Sequence, residues 1–145
     1  MTPAAVLWDF GGVISTSPFE SFNRYEEANG LPRDFIRGLN ATNSDTNAWA
    51  CFERGDVDRD GFVLRFEEEA RLAGGRLDAR AVLNMLSGAI RPEMVEAVRR
   101  CHAVMKTALL TNNFIAEGEG RSEFGGLLDS FDLIIESSKS GLRKP

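Results

Sequence analysis

Apolar and polar positions follow two different rhythms along this chain. Near its start, Ala4-Ala5-Val6-Leu7-Trp8 forms an unbroken apolar run that stops at Asp9-Phe10-Gly11-Gly12. A short run of this kind, closed by glycine, reads as a buried strand that delivers a loop at its carboxyl end. From Ser17 the spacing becomes helical. Ser17-Pro18-Phe19-Glu20 predicts a helix start, with Ser17 as N-cap, Pro18 at the first helical position and Glu20 closing a capping box. That helix should end near Asn29-Gly30. Further helices are expected over about 32–39, 46–54, 58–73 and 78–87, punctuated by Gly, Asn and Asp, and no strand pattern interrupts this block.

Strand character returns at 104–111, after a helix expected over about 92–101, and again at 131–136 behind a Gly-rich segment. This order predicts an α/β fold with a Rossmann-like parallel sheet core built from residues 1–15 and 90–145. Residues 16–89 would form a helical cap inserted just after the first strand. Neither an internal repeat nor a low-complexity tract is present.

With 145 residues, 43% of them hydrophobic, the chain can bury an ordinary core without staples. Its formal net charge of -5, with no basic run longer than a pair such as Arg99-Arg100, argues against a nucleic-acid partner. No apolar stretch is long enough to span a membrane, and Met1-Thr2-Pro3-Ala4-Ala5 lacks the positive region of a secretory signal, so a cytoplasmic location is expected. Cys51 and Cys101 stand far apart without metal-binding spacing and are expected as reduced thiols.

Ligands of parallel α/β sheets bind beyond the carboxyl ends of the strands, which directs attention to three places. Asp9 ends the first strand, Thr111-Asn112-Asn113 the second, and Lys144 follows the third in Ser137-Ser138-Lys139-Ser140-Gly141-Leu142-Arg143-Lys144-Pro145. A carboxylate, a hydroxyl with amides and a cation together suit a phosphorylated small molecule. Asp9 could attack phosphorus and form an aspartyl-phosphate, splitting one hard displacement into two steps. Thr111 and the amides of a following helix start could hold the phosphoryl oxygens, with Lys144 offsetting charge as a compact cation. Magnesium takes hard oxygen ligands, of which Asp9 and the backbone carbonyl of Gly11 supply two.

Trp8-Asp9-Phe10-Gly11-Gly12-Val13-Ile14, Leu109-Leu110-Thr111-Asn112-Asn113 and Ser137-Ser138 through Lys144-Pro145 resemble the first three motifs of the haloacid dehalogenase (HAD) superfamily. Cys51-Phe52-Glu53-Arg54-Gly55-Asp56-Val57 with Phe62 is similar to the helical cap of its phosphatase and dehalogenase branch. Within that branch the chain resembles the subgroup of the amino-terminal phosphatase domain of soluble epoxide hydrolases. The resemblance implies a magnesium-dependent hydrolase in which Asp9 and Lys144 are catalytic, Gly12, Thr111 and Asn112 bind substrate, and Asp9 and Gly11 face the metal.

Two departures qualify what the resemblance implies. Family phosphatases carry a second Asp two residues after the nucleophile, as proton donor to the leaving group, and that position is Gly11 here. A halide leaves without a proton, so haloacid dehalogenation stands as the alternative chemistry, although Gly11 and Val13 do not match the dehalogenase loop either. Family members also continue beyond the third motif into a further strand and an acidic fourth motif that completes the metal site. The sequence as given stops at Pro145, which implies an incomplete core and an apolar edge on the first strand, predicting pairing with another chain or poor solubility.

A catalytically inactive or calcium-binding module is the contrasting expectation. Asp56-Val57-Asp58-Arg59-Asp60-Gly61-Phe62-Val63-Leu64-Arg65-Phe66-Glu67 fits the EF-hand loop pattern at every position. The opposing reading makes Asp58 the N-cap of a helix that starts at once, and a helical segment cannot wrap an ion. His102 is expected at a helix end, and Glu67-Glu68-Glu69 on a solvated helix face.

Overall fold

The three apolar runs become the strands of one parallel sheet in a computed structural model that describes residues 3–112 and 124–144. Strands β1 (Ala5–Trp8), β2 (Lys106–Thr111) and β3 (Leu133–Glu136) lie in the order β1-β2-β3. Trp8 is level with Leu109, and Thr111 with Glu136. The chain divides into two compact units, Met1–Thr16 with Ala89–Pro145, and Ser17–Gly88.

In the first unit one face of the sheet is buried. Leu109 packs there with Phe10, Ile14, Val98, Leu127, Leu128 and Phe131, and Trp8 and Ile134 flank this cluster. Helix α1 (Phe19–Ala28) opens the second unit, which continues through α2 (Phe35–Ala41), α3 (Ala48–Glu53), α4 (Arg59–Leu72) and α5 (Ala79–Asn84). Helix α6 (Pro92–His102) returns to the first unit and sends Val98 into its cluster. A short α7 (Ser137–Ser140) follows β3 directly. The expectation of a buried strand at β1 holds on one face only, because Leu7 is 59% exposed on the opposite one. Strand β2 also starts two residues late, since the N–H groups of Val104 and Met105 still donate to the Cys101 carbonyl at the end of α6.

The chain leaves for the second unit and returns from it through a pinned passage. Thr16 N–H donates to the Ala89 carbonyl (2.9 Å), Ala89 N–H donates to Thr16 Oγ1 (3.0 Å) and Arg91 N–H to the Ile14 carbonyl (2.9 Å).

The helical unit has its own core, in which Phe22, Ile36, Phe62, Phe66 and Val82 are almost fully enclosed. Trp49 meets the Phe62 ring edge-on at 5.0 Å. Its helix starts modify three sequence expectations. Helix α1 begins at Phe19 without a capping box, the Phe19 N–H donating to Ser17 Oγ at 3.3 Å. Helix α2 begins three residues later than expected, because Asp34 takes a left-handed conformation (φ 62°) and the cap comes from a distance. Buried Glu26 accepts from Asp34 N–H (2.8 Å) and Ile36 N–H (2.9 Å). Nor are Glu67 and Glu69 a solvated face. Glu69 accepts from Ala48 N–H at the start of α3 (2.7 Å), and Glu67 from Ala79 N–H at the start of α5 (3.2 Å). Only Glu68 of the three pairs at the surface, with Arg71. Both cysteines are free thiols, and His102 ends α6 with Nδ1 3.1 Å from Thr107 Oγ1.

Candidate active site

Asp9 directly follows β1, where its loop turns too sharply for the strand to continue. The Phe10 carbonyl accepts from the N–H groups of Val13, Ile14 and Ser15 at 2.9–3.2 Å, closing the loop on itself. Gly12 sits at φ +76°, a conformation that side chains resist, so its glycine is a backbone requirement. Phe10 anchors the loop from beneath, buried and edge-on to Phe124 at 5.2 Å. The Asp9 side chain stays 46% exposed above it.

The register puts Thr111 one step beyond the level of Asp9 on the neighbouring strand. Strand geometry sets their Cα atoms roughly 6 Å apart. Thr111 shares a sheet face with Thr107 and Leu109 and is 1% exposed. Lys144 arrives from the third strand end. Its Nζ lies 2.7 Å from Asp9 Oδ1 and donates to the Leu110 carbonyl at 3.1 Å, so the ammonium bridges the ends of β1 and β2. The Phe10 N–H also donates to Asp9 Oδ1, at 2.7 Å. Among the described residues, both contacts to the Asp9 carboxylate fall on Oδ1.

The ends of β1 and β2 thus bring the half-exposed Asp9 carboxylate against the part-buried Lys144 ammonium, with the enclosed Thr111 at the end of the neighbouring strand. Asn112 is beside them, but its carboxamide faces the main chain of Lys144: Oδ1 accepts from Lys144 N–H (2.7 Å) and Nδ2 donates to the Lys144 carbonyl (3.3 Å). Asn113 and the helix start expected after it lie outside the described residues, as does Pro145. Two participants had no role assigned from the sequence, although Ser137 opens the third motif. Ser137 donates from Oγ to the Asn112 carbonyl (3.0 Å), and Glu136, 5% exposed, is the cross-strand neighbour of Thr111 and pairs with Lys139. Both directly end or follow a strand, the same signal that marked Asp9.

The EF-hand pattern does not form a calcium loop. Asp58 is the N-cap of α4, accepting from Gly61 N–H at 2.8 Å, and residues 59–67 are helical. Asp56 pairs with Arg54 and Asp60 with Arg80, so the carboxylates turn away from any common centre. A cavity of about 280 Å³ in the helical unit, lined by Leu39, Asn47, Glu69 and Leu72 among others, holds polar groups already used internally. Asn47 donates to the carbonyls of Asn40 and Thr42, and Glu69 caps α3. Among the described residues no three acidic, His or Cys side chains gather as metal ligands, and no helix is long and apolar enough to cross a membrane.

Solved structures superpose on this chain across nearly its whole length. A HAD-like family hydrolase from Porphyromonas gingivalis matches with a TM-score of 0.64 and 21% identity, over 97% of this chain and 69% of that one. The chain has the HAD-like fold. The same fold is matched in a HAD family enzyme from Bacteroides thetaiotaomicron, solved with magnesium and inorganic phosphate (TM-score 0.62, 12% identity, 99% and 73% of the two chains). It is matched again in L-2-haloacid dehalogenase from Xanthobacter autotrophicus (0.60, 18%, 99% and 60%). By sequence, the chain is 28% identical to mouse acyl-CoA dehydrogenase family member 10 and 25% identical to mouse bifunctional epoxide hydrolase 2, over 97% and 100% of its own length. It spans only 14% and 29% of those two proteins. No family model matches it. Asp9 and Thr111 lie at the carboxyl ends of β1 and β2, and Lys144 reaches Asp9 there from beyond β3.

Proposed function

We propose that this HAD-like unit is a hydrolase, and that its reaction is phosphate-ester hydrolysis through an aspartyl-phosphate on Asp9. The observation that carries the reading is the 2.7 Å contact between Lys144 Nζ and Asp9 Oδ1 at the strand ends, next to Thr111. A cation in contact with the attacking carboxylate offsets the charge that an incoming phosphoryl group adds. An Asp9 carboxylate oxygen forms a bond to phosphorus as the ester P–O bond breaks, and the electron pair leaves on the alcohol oxygen. Water then attacks phosphorus as the Asp9 oxygen–phosphorus bond breaks, so the electron pair returns to the Asp9 carboxylate and the water's oxygen and proton leave with inorganic phosphate. Thr111 holds the transferring oxygens, and Gly12 lets the loop backbone approach them. Gly11 has no side chain to protonate the departing oxygen, so esters of acidic alcohols are the favoured substrates.

Magnesium belongs to the proposal as a shared ion. Asp9 and the Gly11 carbonyl would supply two of its oxygens, and magnesium commonly fills the remainder with water and substrate phosphate. When bound it would neutralise phosphoryl charge.

The test is hydrolysis of p-nitrophenyl phosphate with added magnesium. Asp9→Asn should lower kcat by about three orders of magnitude or more. Equal turnover by the parent and this variant removes the proposal. Haloacid dehalogenation is the second reading, favoured by Gly11, because a halide departs without a proton. Asp9-dependent chloride release from a small 2-haloacid, without phosphate release, would replace the first reading with it.

A further inference from the structure

Lys144 has an unusual problem for a residue on which the chemistry depends. It lies in an irregular stretch, three residues beyond the left-handed turn at Gly141, and no helix or strand fixes its backbone. Its four-carbon side chain has many rotamers, and a part-exposed ion pair holds such a chain only weakly. Something must position the backbone from which the ammonium reaches Asp9.

We infer that Asn112 is a positioning residue for Lys144, gripping both polar groups of its main chain, and not itself a ligand of the phosphoryl oxygens. The carboxamide oxygen takes the Lys144 N–H at 2.7 Å while the amide nitrogen reaches the Lys144 carbonyl at 3.3 Å. A planar primary amide that meets the N–H and C=O of one residue fixes that residue in two directions at once. The Asn112 backbone is itself secured, since Ser137 Oγ donates to its carbonyl at 3.0 Å. Together these contacts join the ends of β2 and β3 to the lysine loop. They leave the Lys144 side chain to span the gap to Asp9 Oδ1 and the Leu110 carbonyl. The carboxamide oxygen, the atom with the shorter contact, is occupied.

This inference rests on the reading of Asp9 as nucleophile and Lys144 as its charge partner, and two measurements separate its failure from theirs. Exchange of the Lys144 amide proton, followed by NMR in isotopically labelled protein, needs no activity. Asn112→Ala should speed it by about an order of magnitude, whereas Asn112→Asp keeps an acceptor and should retain the protection. The second measurement is a double-mutant cycle on p-nitrophenyl phosphate. Asn112→Ala should lower kcat by about 10–100-fold with little change in KM, and should cause no further loss in a Lys144→Ala background.

Losses that multiply in the double variant would show Asn112 acting on substrate directly and overturn the inference. So would parent-like exchange of the Lys144 amide in Asn112→Ala. If Asn112→Ala does not fold, Asn112→Asp decides alone: lost amide protection in that folded variant refutes the grip. If the parent shows no Asp9-dependent turnover, the functional reading fails, and the exchange measurement still decides whether Asn112 positions Lys144.

Discussion

At the opposite ends of the same strands from Asp9, a second carboxylate meets a second lysine. Asp132 accepts from Lys106 Nζ at 2.7 Å and from the Thr107 N–H at 2.9 Å, just before β3 begins. The lysine contact first, then the backbone bond, pull its pKa from 3.8 down to about 2. A carboxylate that binds protons less readily when folded adds stability that is complete above the unfolded value, and that fades as pH falls through the folded one. Asp132→Asn should therefore lower the urea midpoint at neutral pH. The gap to the parent should then close between pH 4 and about 2. A gap of constant width across that range would show that the charge of Asp132 does not matter. In this pair the lysine is the open partner, 78% exposed against 29% for Asp132, whereas at the candidate site the carboxylate is, with Asp9 46% and Lys144 27% exposed.

Helix starts in the second unit depend on carboxylates borrowed from elsewhere in the fold. Glu26 serves α2, Glu69 serves α3 and Glu67 serves α5. Truncating Glu26 leaves the enclosed Ile36 N–H and the part-buried Asp34 N–H without their partner. Glu26→Ala should cost about 2–3 kcal/mol, while Glu68→Ala, which loses only a surface pair with Arg71, should stay within about 0.5 kcal/mol. Urea unfolding of both variants checks the contrast, and equal losses would dismiss the capping account. The same contacts explain what the sequence reveals and what it hides. Asp58 and Asp78 cap their own helices, accepting from Gly61 N–H and from Arg80 and Ala81 N–H, and the starts of α4 and α5 are legible to within a residue. The start of α2 is not, because its cap lies eight residues upstream of Asp34. At the candidate site, Asp9, Thr111 and Lys144 stand out because each ends or follows a strand. The engagement of Asn112 with Lys144 spans 32 residues, a separation that no local pattern encodes.

The apolar run of β1 announces a strand enclosed on both sides, as parallel sheets ordinarily are, yet the described residues bury only one face. Across the other face Leu7, Ala108 and Leu133 fall in a single row, with Leu110 and Ile135 forming the next. Leu7 is 59%, Leu133 54% and Ile135 36% exposed. A contiguous apolar surface of this kind drives association, and β1 lies at an edge of the sheet with its outer side unpaired among the described residues. The 145-residue chain should therefore sediment as concentration-dependent oligomers. Placing lysines at both ends of the row, with Leu7→Lys and Leu133→Lys together, should return it to monomer, because a charge there makes burial costly while leaving the packed face intact. Sedimentation velocity of the two proteins, with far-UV circular dichroism to verify the fold, reads this directly. If the double variant associates as the parent does, a different surface drives the association.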